Sequence, residues 1–183
     1  MKREDPSKKF PLGSTLPEFT LKNVDSSQWS SSSTNIENGL LIVFACNHCP
    51  YVRGSEDELI KIANKYSSEG LAVVAINSND PVNYPDDNYE KMQEKSQALN
   101  LPYPYLFDET QEVAKLFDAA CTPECYLFDK NKKLVFHGAV NDNPRDRNAV
   151  KSHYLRDAVE DLLAAKAVRT SYAHPMGCSI KWK

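Results

Sequence analysis

An unbroken apolar run, Leu40-Leu-Ile-Val-Phe-Ala45, stops at Cys46-Asn-His-Cys49-Pro50. A short apolar run with β-branched Ile42 and Val43 at its centre suits a strand buried on both faces, the kind found in sheets covered by helices on either side. Pro50 predicts a helix starting directly afterwards, since its missing N–H would be unpaired in a first turn in any case. The two thiols therefore fall where strand gives way to helix. Residues three apart on a helix have β-carbons about 5–6 Å apart and a disulfide takes about 3.5–4.5 Å, so a small adjustment closes and reopens the bond. That spacing points to reversible dithiol chemistry.

The surrounding pattern repeats strand and helix. Leu59, Ile60, Ile62, Ala63 and Tyr66 recur at helical spacing, and Glu69-Gly70 closes that element. Leu71–Ile76 reads as a second buried strand, followed by a polar helix over roughly residues 86–99. Such a rhythm implies parallel strands joined by right-handed crossovers. Tyr103–Phe107 is a third strand candidate, which Pro104 pushes toward an edge or an irregular entry, and Asp108-Glu-Thr110 is placed to cap a short helix over 111–117. Tyr126–Phe128 and Leu134–Phe136 form a hairpin expected to end the sheet. Ala149–Ala167 carries Tyr154, Leu155, Ala158, Val159, Leu162 and Leu163 on one face and is expected to pack as a last helix. One domain over 1–183 is expected, with an irregular or hairpin lead-in (1–39), a core (40–168) and a tail (169–183).

The charge balance narrows the function classes. The chain has 183 residues, with 25 acidic against 22 basic side chains and a net charge of −3. No basic stretch is interleaved with aromatics, so nucleic acid is not an expected partner. The start lacks the apolar core of a secretory signal and no apolar run approaches the ~18 residues that span a bilayer. These features predict a soluble, cytoplasmic protein with no membrane partner. Five cysteines cannot all pair within one chain, and in a reducing compartment a CxxC pair is catalytic or metal-binding more often than structural.

A strand, CxxC at a helix start, further βα units, then Thr122-Pro123 before a closing hairpin and helix follow the order of the thioredoxin fold. Cys46-Asn-His-Cys-Pro-Tyr-Val52, Val73-Val-Ala-Ile-Asn-Ser-Asn79, Tyr105-Leu-Phe-Asp-Glu-Thr-Gln-Glu-Val-Ala114 and Gly177-Cys-Ser-Ile-Lys-Trp182 resemble the peroxiredoxin-like redoxins of the AhpC/TSA group. The resemblance implies an α/β thioredoxin fold, a central mixed sheet flanked by helices, with an N-terminal extension and a C-terminal tail. By the same resemblance Cys46 is the nucleophilic thiol, Cys49 the resolving thiol and Pro123 a cis-proline facing them. A cis Thr122-Pro123 bond would present the backbone of residue 122 to an extended partner strand. A cysteine at a helix N-terminus meets unpaired N–H groups that favour thiolate. Cys46 is expected to be the more acidic, Cys49 lying deeper in the helix, and His48 to tune the pair alongside Asn47.

Two departures separate the chain from familiar relatives. Ala45 stands where thioredoxins carry tryptophan, and Asn47-His48 replaces their Gly-Pro. The peroxiredoxin signature would put proline at 42 and threonine at 46, where this chain has Ile42 and Cys46. The leading expectation is a thiol-disulfide oxidoreductase acting on a protein or low-molecular-weight thiol or disulfide, with no cofactor and no metal. A peroxiredoxin-like thiol peroxidase with an antioxidant role is the alternative, and a Zn- or Cu(I)-binding thioredoxin-fold protein the second. Cys121 and Cys178 are possible auxiliary thiols, with Cys178 in a tail able to fold back over the site. Cys125 is expected to pack. Asp86-Asp87 and the charges from Asp142 to Arg147 read as solvated loop charges.

Overall fold

The computed structural model describes residues 9–183. The charged start read for a leader signal falls mainly on residues 1–8, which lie outside the described residues. Two buried strands form the centre: β3 (Gly39–Phe44) and β4 (Leu71–Asn77), paired in parallel from Gly39↔Leu71 to Phe44↔Ile76. Every residue of β3 is buried, and the pleat sends alternate side chains to opposite faces. Leu41 and Val43 join the core beneath α1 (Pro50–Tyr66), α2 (Tyr89–Leu99) and α4 (Tyr154–Leu163). Leu40, Ile42 and Phe44 join a second core with α3 (Glu112–Leu116), Phe10, Phe19 and Phe117. The apolar run needed both layers, and both are present.

The eight-stranded sheet runs β2-β1-β5-β4-β3-β7-β8-β9. The lead-in is a hairpin, β1 (Thr20–Asn23) with β2 (Gln28–Ser30), docked antiparallel on β5 (Tyr105–Phe107). β5 is therefore an interior strand, so of the two readings of Pro104, sheet edge or irregular entry, the edge fails and the irregular entry holds. The proline precedes the strand, and its carbonyl still accepts the Ala75 N–H at 3.0 Å, so the missing donor costs no ladder bond. On the other side β7 (Glu124–Asp129) lies antiparallel to both β3 and β8 (Leu134–Gly138). The hairpin does not end the sheet, because β9 (Tyr172–Ala173) adds a parallel strand to β8. Gly138 permits this: its φ is 147°, and a β-carbon there would sit 1.8 Å from the Ala173 carbonyl oxygen.

Helix boundaries follow capping more closely than periodicity. Asn88 accepts the Lys91 N–H at 2.8 Å, so α2 starts after it, three residues later than predicted. Asp108 caps α3 as expected, accepting from Val113 N–H at 3.3 Å and Ala114 N–H at 2.9 Å. The last helix is shorter than its apolar pattern, spanning only Tyr154–Leu163. Upstream, Asp142, Asn143 and Asp146 turn the chain through local hydrogen bonds to backbone N–H groups, an alternative to helix that short polar side chains offer.

Candidate active site

β3 delivers Cys46 to the C-terminal end of the parallel strands, and α1 begins at Pro50 with Cys49 as its N-cap residue. Both sulfurs are buried, with Cys46 1% and Cys49 0% exposed. Facing them is β6 (Cys121–Thr122), which ends in a cis Thr122-Pro123 bond. Thr122 touches both thiols. Its hydroxyl Oγ1 lies 3.3 Å from Cys46 Sγ, and its carbonyl oxygen is 3.1 Å from Cys49 Sγ, accepting the S–H whenever that thiol is protonated.

The two thiols ionise as one coupled pair, with Cys49 shifted down and Cys46 up. The two thiols hydrogen-bond to each other, and donation from the Cys46 S–H is the main influence lowering Cys49. Burial opposes it, while N–H groups of Cys178 and Val52 and the Cys178 thiol add support. Cys46 is raised, first by that shared hydrogen bond, then by burial and by the Asp87 carboxylate. N–H groups at the helix start serve both sulfurs: that of Val52 lowers Cys49, and that of Cys49, together with the Thr122 hydroxyl, lowers Cys46.

Asp87 corrects an expectation from the sequence. It is fully buried rather than a solvated loop charge. Its Oδ1 accepts the Asn47 backbone N–H at 2.6 Å, and its Oδ2 pairs with His48 Nδ1 at 2.5 Å and accepts Asn79 Nδ2–H at 2.7 Å. Asn47 is further held by the Asp86 carbonyl (2.8 Å) and by the Tyr105 hydroxyl, which donates to Asn47 Oδ1 at 3.0 Å. Burial pushes the Tyr105 phenol well above its usual range, keeping it a donor. His48 stacks on Tyr84 with 5.8 Å between ring centres. Lys95 Nζ donates to the Cys46 carbonyl at 3.2 Å and Arg53 Nε to that of Asn47 at 3.1 Å. The CxxC segment is thus fixed by groups from three other elements.

Donor atoms of Cys46, His48 and Asp87 lie within 4.8 Å of one another. One pair of them, His48 Nδ1 and Asp87 Oδ2, is in direct hydrogen-bond contact at 2.5 Å, closer than two ligands of a tetrahedral zinc with bonds of about 2.0–2.3 Å stand. Both Asp87 oxygens already hold donors and His48 Nδ1 already faces one of them, so a metal there would have to break three hydrogen bonds. The void behind Cys46, bordered by Val52, Leu59 and Tyr105, is about 20 Å³, room for roughly one water. Neither feature favours a metal or an organic cofactor.

The cis-proline loop has its own buried anchor, Glu124, which sequence reading passed over. Its Oε2 accepts N–H groups of Ala120 (2.8 Å) and Cys121 (3.1 Å), and its Oε1 accepts the Tyr126 hydroxyl (2.8 Å) and meets His137 Nε2 (2.7 Å). A lone acid opening an apolar strand was the available signal, because a buried carboxylate requires partners. Cys125 packs in the core, and burial pushes its thiol far up. The Cys121 Sγ lies 3.8 Å from Glu124 Oε2. All five cysteines are free.

The expected edge for a partner strand is already filled. β10 (Cys178–Ser179), in the tail, pairs antiparallel with β6, Cys178 opposite Thr122 and Ser179 opposite Cys121. Gly177 allows the approach: a β-carbon there would lie 2.1 Å from the Thr122 carbonyl oxygen.

A mixed sheet with helices on both faces, two thiols where strand passes into helix, and a cis-proline loop against them define a thioredoxin-fold redox enzyme. The AhpC/TSA family model matches residues 12–137, and the chain belongs to that family. Among solved structures, an uncharacterized conserved protein from Geobacillus kaustophilus is 43% identical, covering 95% of this chain and 93% of that one at a TM-score of 0.90. A hypothetical protein from Sinorhizobium meliloti 1021 is 36% identical, with 96% of each chain covered and a TM-score of 0.89. The thioredoxin domain of a thiol-disulfide oxidoreductase from Bacteroides vulgatus shares the fold at 16% identity, covering 75% of this chain and 94% of that one with a TM-score of 0.62. No match was found among curated proteins.

Proposed function

We propose that this protein is a thiol-disulfide oxidoreductase whose working couple is Cys46–Cys49. The observation that carries the reading is geometric: two buried thiols three residues apart where strand passes into helix, both in contact with Thr122 of the cis-proline loop. A thiolate is the attacking species in exchange. The Cys49 thiolate attacks a substrate disulfide R–S–S–R′ and expels R′–S⁻, leaving a mixed disulfide. Cys46 then attacks Cys49 and gives up its proton, the Cys46–Cys49 bond forms, and R–S⁻ departs. This order exchanges the roles the family resemblance assigns to the two cysteines. Asp87, Asn47, Tyr105, Lys95 and Arg53 act as positioning residues that hold the loop carrying both sulfurs.

Partners are protein or low-molecular-weight thiols and disulfides, and five free cysteines fit a reducing, cytoplasmic compartment. No helix among the described residues is long and apolar enough to cross a membrane. Thiol peroxidase activity is the second reading, favoured by the charge placed on Cys49, the cysteine that the peroxiredoxin signature would make peroxidatic.

The test is a redox titration in defined glutathione buffers, with thiols trapped by alkylation and mapped by mass spectrometry. A reversible two-electron transition linking Cys46 to Cys49, with Cys121 and Cys125 reduced throughout, is expected. Absence of any transition, with Cys49 alkylated in every buffer, would overturn the reading. Saturable peroxide consumption with a sulfenic acid on Cys49 would shift the assignment to the peroxidase.

A further inference from the structure

The tail poses a problem of access. It lies along the edge of β6, over the dithiol, and is tied down along its length. Ile180 is 3% exposed in the second core, and its N–H donates to the Ala120 carbonyl at 2.9 Å. Lys181 N–H donates to Asn79 Oδ1 at 2.8 Å, its carbonyl accepts from Asp80 N–H and Gln111 Nε2–H, both at 2.8 Å, and Lys183 N–H donates to Gln111 Oε1 at 2.9 Å. An outside thiol must reach a Cys46–Cys49 disulfide, and in the reduced protein these two residues are only 1% and 0% exposed. Direct exchange at the dithiol therefore requires the tail to open, and an atom already partly at the surface offers a route that does not.

Cys178 is placed to offer that route. It stands directly opposite Thr122 in the β10–β6 pair, and directly opposed residues in an antiparallel ladder project to the same face with β-carbons about 4.5–5.5 Å apart. On that face Thr122 Oγ1 already contacts Cys46 Sγ at 3.3 Å, and Cys49 Sγ lies 3.1 Å from the Thr122 carbonyl oxygen. The Cys178 backbone N–H and thiol lie close enough to Cys49 for the two thiols to influence each other's ionisation. Cys49 is the central sulfur of three, and Cys178 is the only one of them partly open to solvent.

We infer that Cys178 is a third redox thiol, the port through which the buried dithiol exchanges with thiols outside the protein. The inference rests on the Cys46–Cys49 cycle proposed above. In the relay the Cys178 sulfur attacks Cys49 Sγ of the Cys46–Cys49 disulfide. The Cys178–Cys49 bond forms, the Cys49–Cys46 bond breaks, and the Cys178 proton ends on Cys46. The oxidation level is unchanged, and the disulfide now has one sulfur within reach of solvent. A low-molecular-weight thiol then attacks Cys178, forming R–S–S–Cys178 and releasing Cys49 as thiolate, a good leaving group at its helix N-cap position. A second thiol completes the reduction, giving R–S–S–R and the Cys178 thiol. Run backward, the same steps admit oxidising equivalents, so the tail strand acts as a built-in substrate.

The experiment oxidises the full chain with one equivalent of diamide, quenches in acid, alkylates and maps disulfide-linked peptides. Wild type is expected to give both Cys46–Cys49 and Cys49–Cys178 bridges, and Cys46→Ser the Cys49–Cys178 bridge. Oxidised Cys178→Ser, carrying only Cys46–Cys49, is expected to be reduced by glutathione about tenfold or more slowly than wild type, each tenfold corresponding to about 1.4 kcal/mol of tail opening. Circular dichroism and urea midpoints check that the near-isosteric serine leaves the fold intact, and the wild-type map needs no variant. A Cys46–Cys49 bridge with Cys178 alkylated in every oxidised species would overturn the inference and leave the dithiol reading standing. Absence of a Cys46–Cys49 bridge from wild type would overturn both.

Discussion

Moving the charge from Cys46 to Cys49 has a consequence that a pair of substitutions isolates. The largest influence lowering Cys49 is the hydrogen bond from the Cys46 thiol. Cys46→Ser keeps an O–H donor at that place and Cys46→Ala removes it, while the Val52 and Cys178 N–H groups remain in both. A hydrogen bond to a charged group contributes about 1.5–3 kcal/mol. One pKa unit is about 1.36 kcal/mol, so the Cys49 midpoint is expected to lie about 1–2 units higher in Cys46→Ala than in Cys46→Ser. Thiolate ultraviolet absorbance read against pH on the reduced proteins gives both midpoints, with Cys49→Ser as the control in which the low-pH step is missing. Equal midpoints in the two variants, or a low-pH step that survives Cys49→Ser, would refute the assignment of the charge.

The same charge makes reduced-state stability depend on pH. A thiol lowered in the folded state binds fewer protons there than in the unfolded chain, so stability relative to Cys49→Ser rises with pH between the folded and unfolded ionisation ranges. The gain is at most about 1.4 kcal/mol per unit, and Cys46, raised in the folded state, reverses it above an unfolded thiol value near ~8.5. Urea midpoints of both proteins at several pH values up to that range test it, a constant difference counting against the account. Gly177→Ala should push the tail off Thr122, whose carbonyl oxygen would lie 2.1 Å from the new β-carbon, and speed alkylation of Cys46 and Cys49. Unchanged alkylation rates would show that the tail does not shield them. Glu124→Leu strands His137 and the Ala120 and Cys121 N–H groups, and a loss of about 3–5 kcal/mol in urea unfolding is expected. Asp87→Asn removes the charge that helps hold Cys46 up, so the Cys46 thiol should ionise at lower pH, measured by thiolate absorbance in a Cys49→Ser background.

The order of elements was legible from local chemistry. An apolar run flanked by punctuation specifies a buried strand, Pro50 specifies a helix start, and Thr122-Pro123 after a βα series specifies the loop opposite the cysteines. These signals act over a few residues, and sequence displays them directly. Sequence alone could not place Asp87, in a polar Pro-Asp-Asp-Asn stretch that reads as solvated. It is buried because Asn47, His48 and Asn79 bring donors from two other segments to one carboxylate. Nor could it choose between the two roles open to the tail, packing by Ile180 and an auxiliary thiol at Cys178. Ile180 packs in the core, and Cys178 lies opposite Thr122 because that packing, with hydrogen bonds to residues 79, 80, 111 and 120, fixes the register. Contacts between residues more than 50 positions apart leave no local pattern, so the strand and the cysteine pair belonged to the sequence, whereas the third sulfur beside them was decided only when the chain closed on itself.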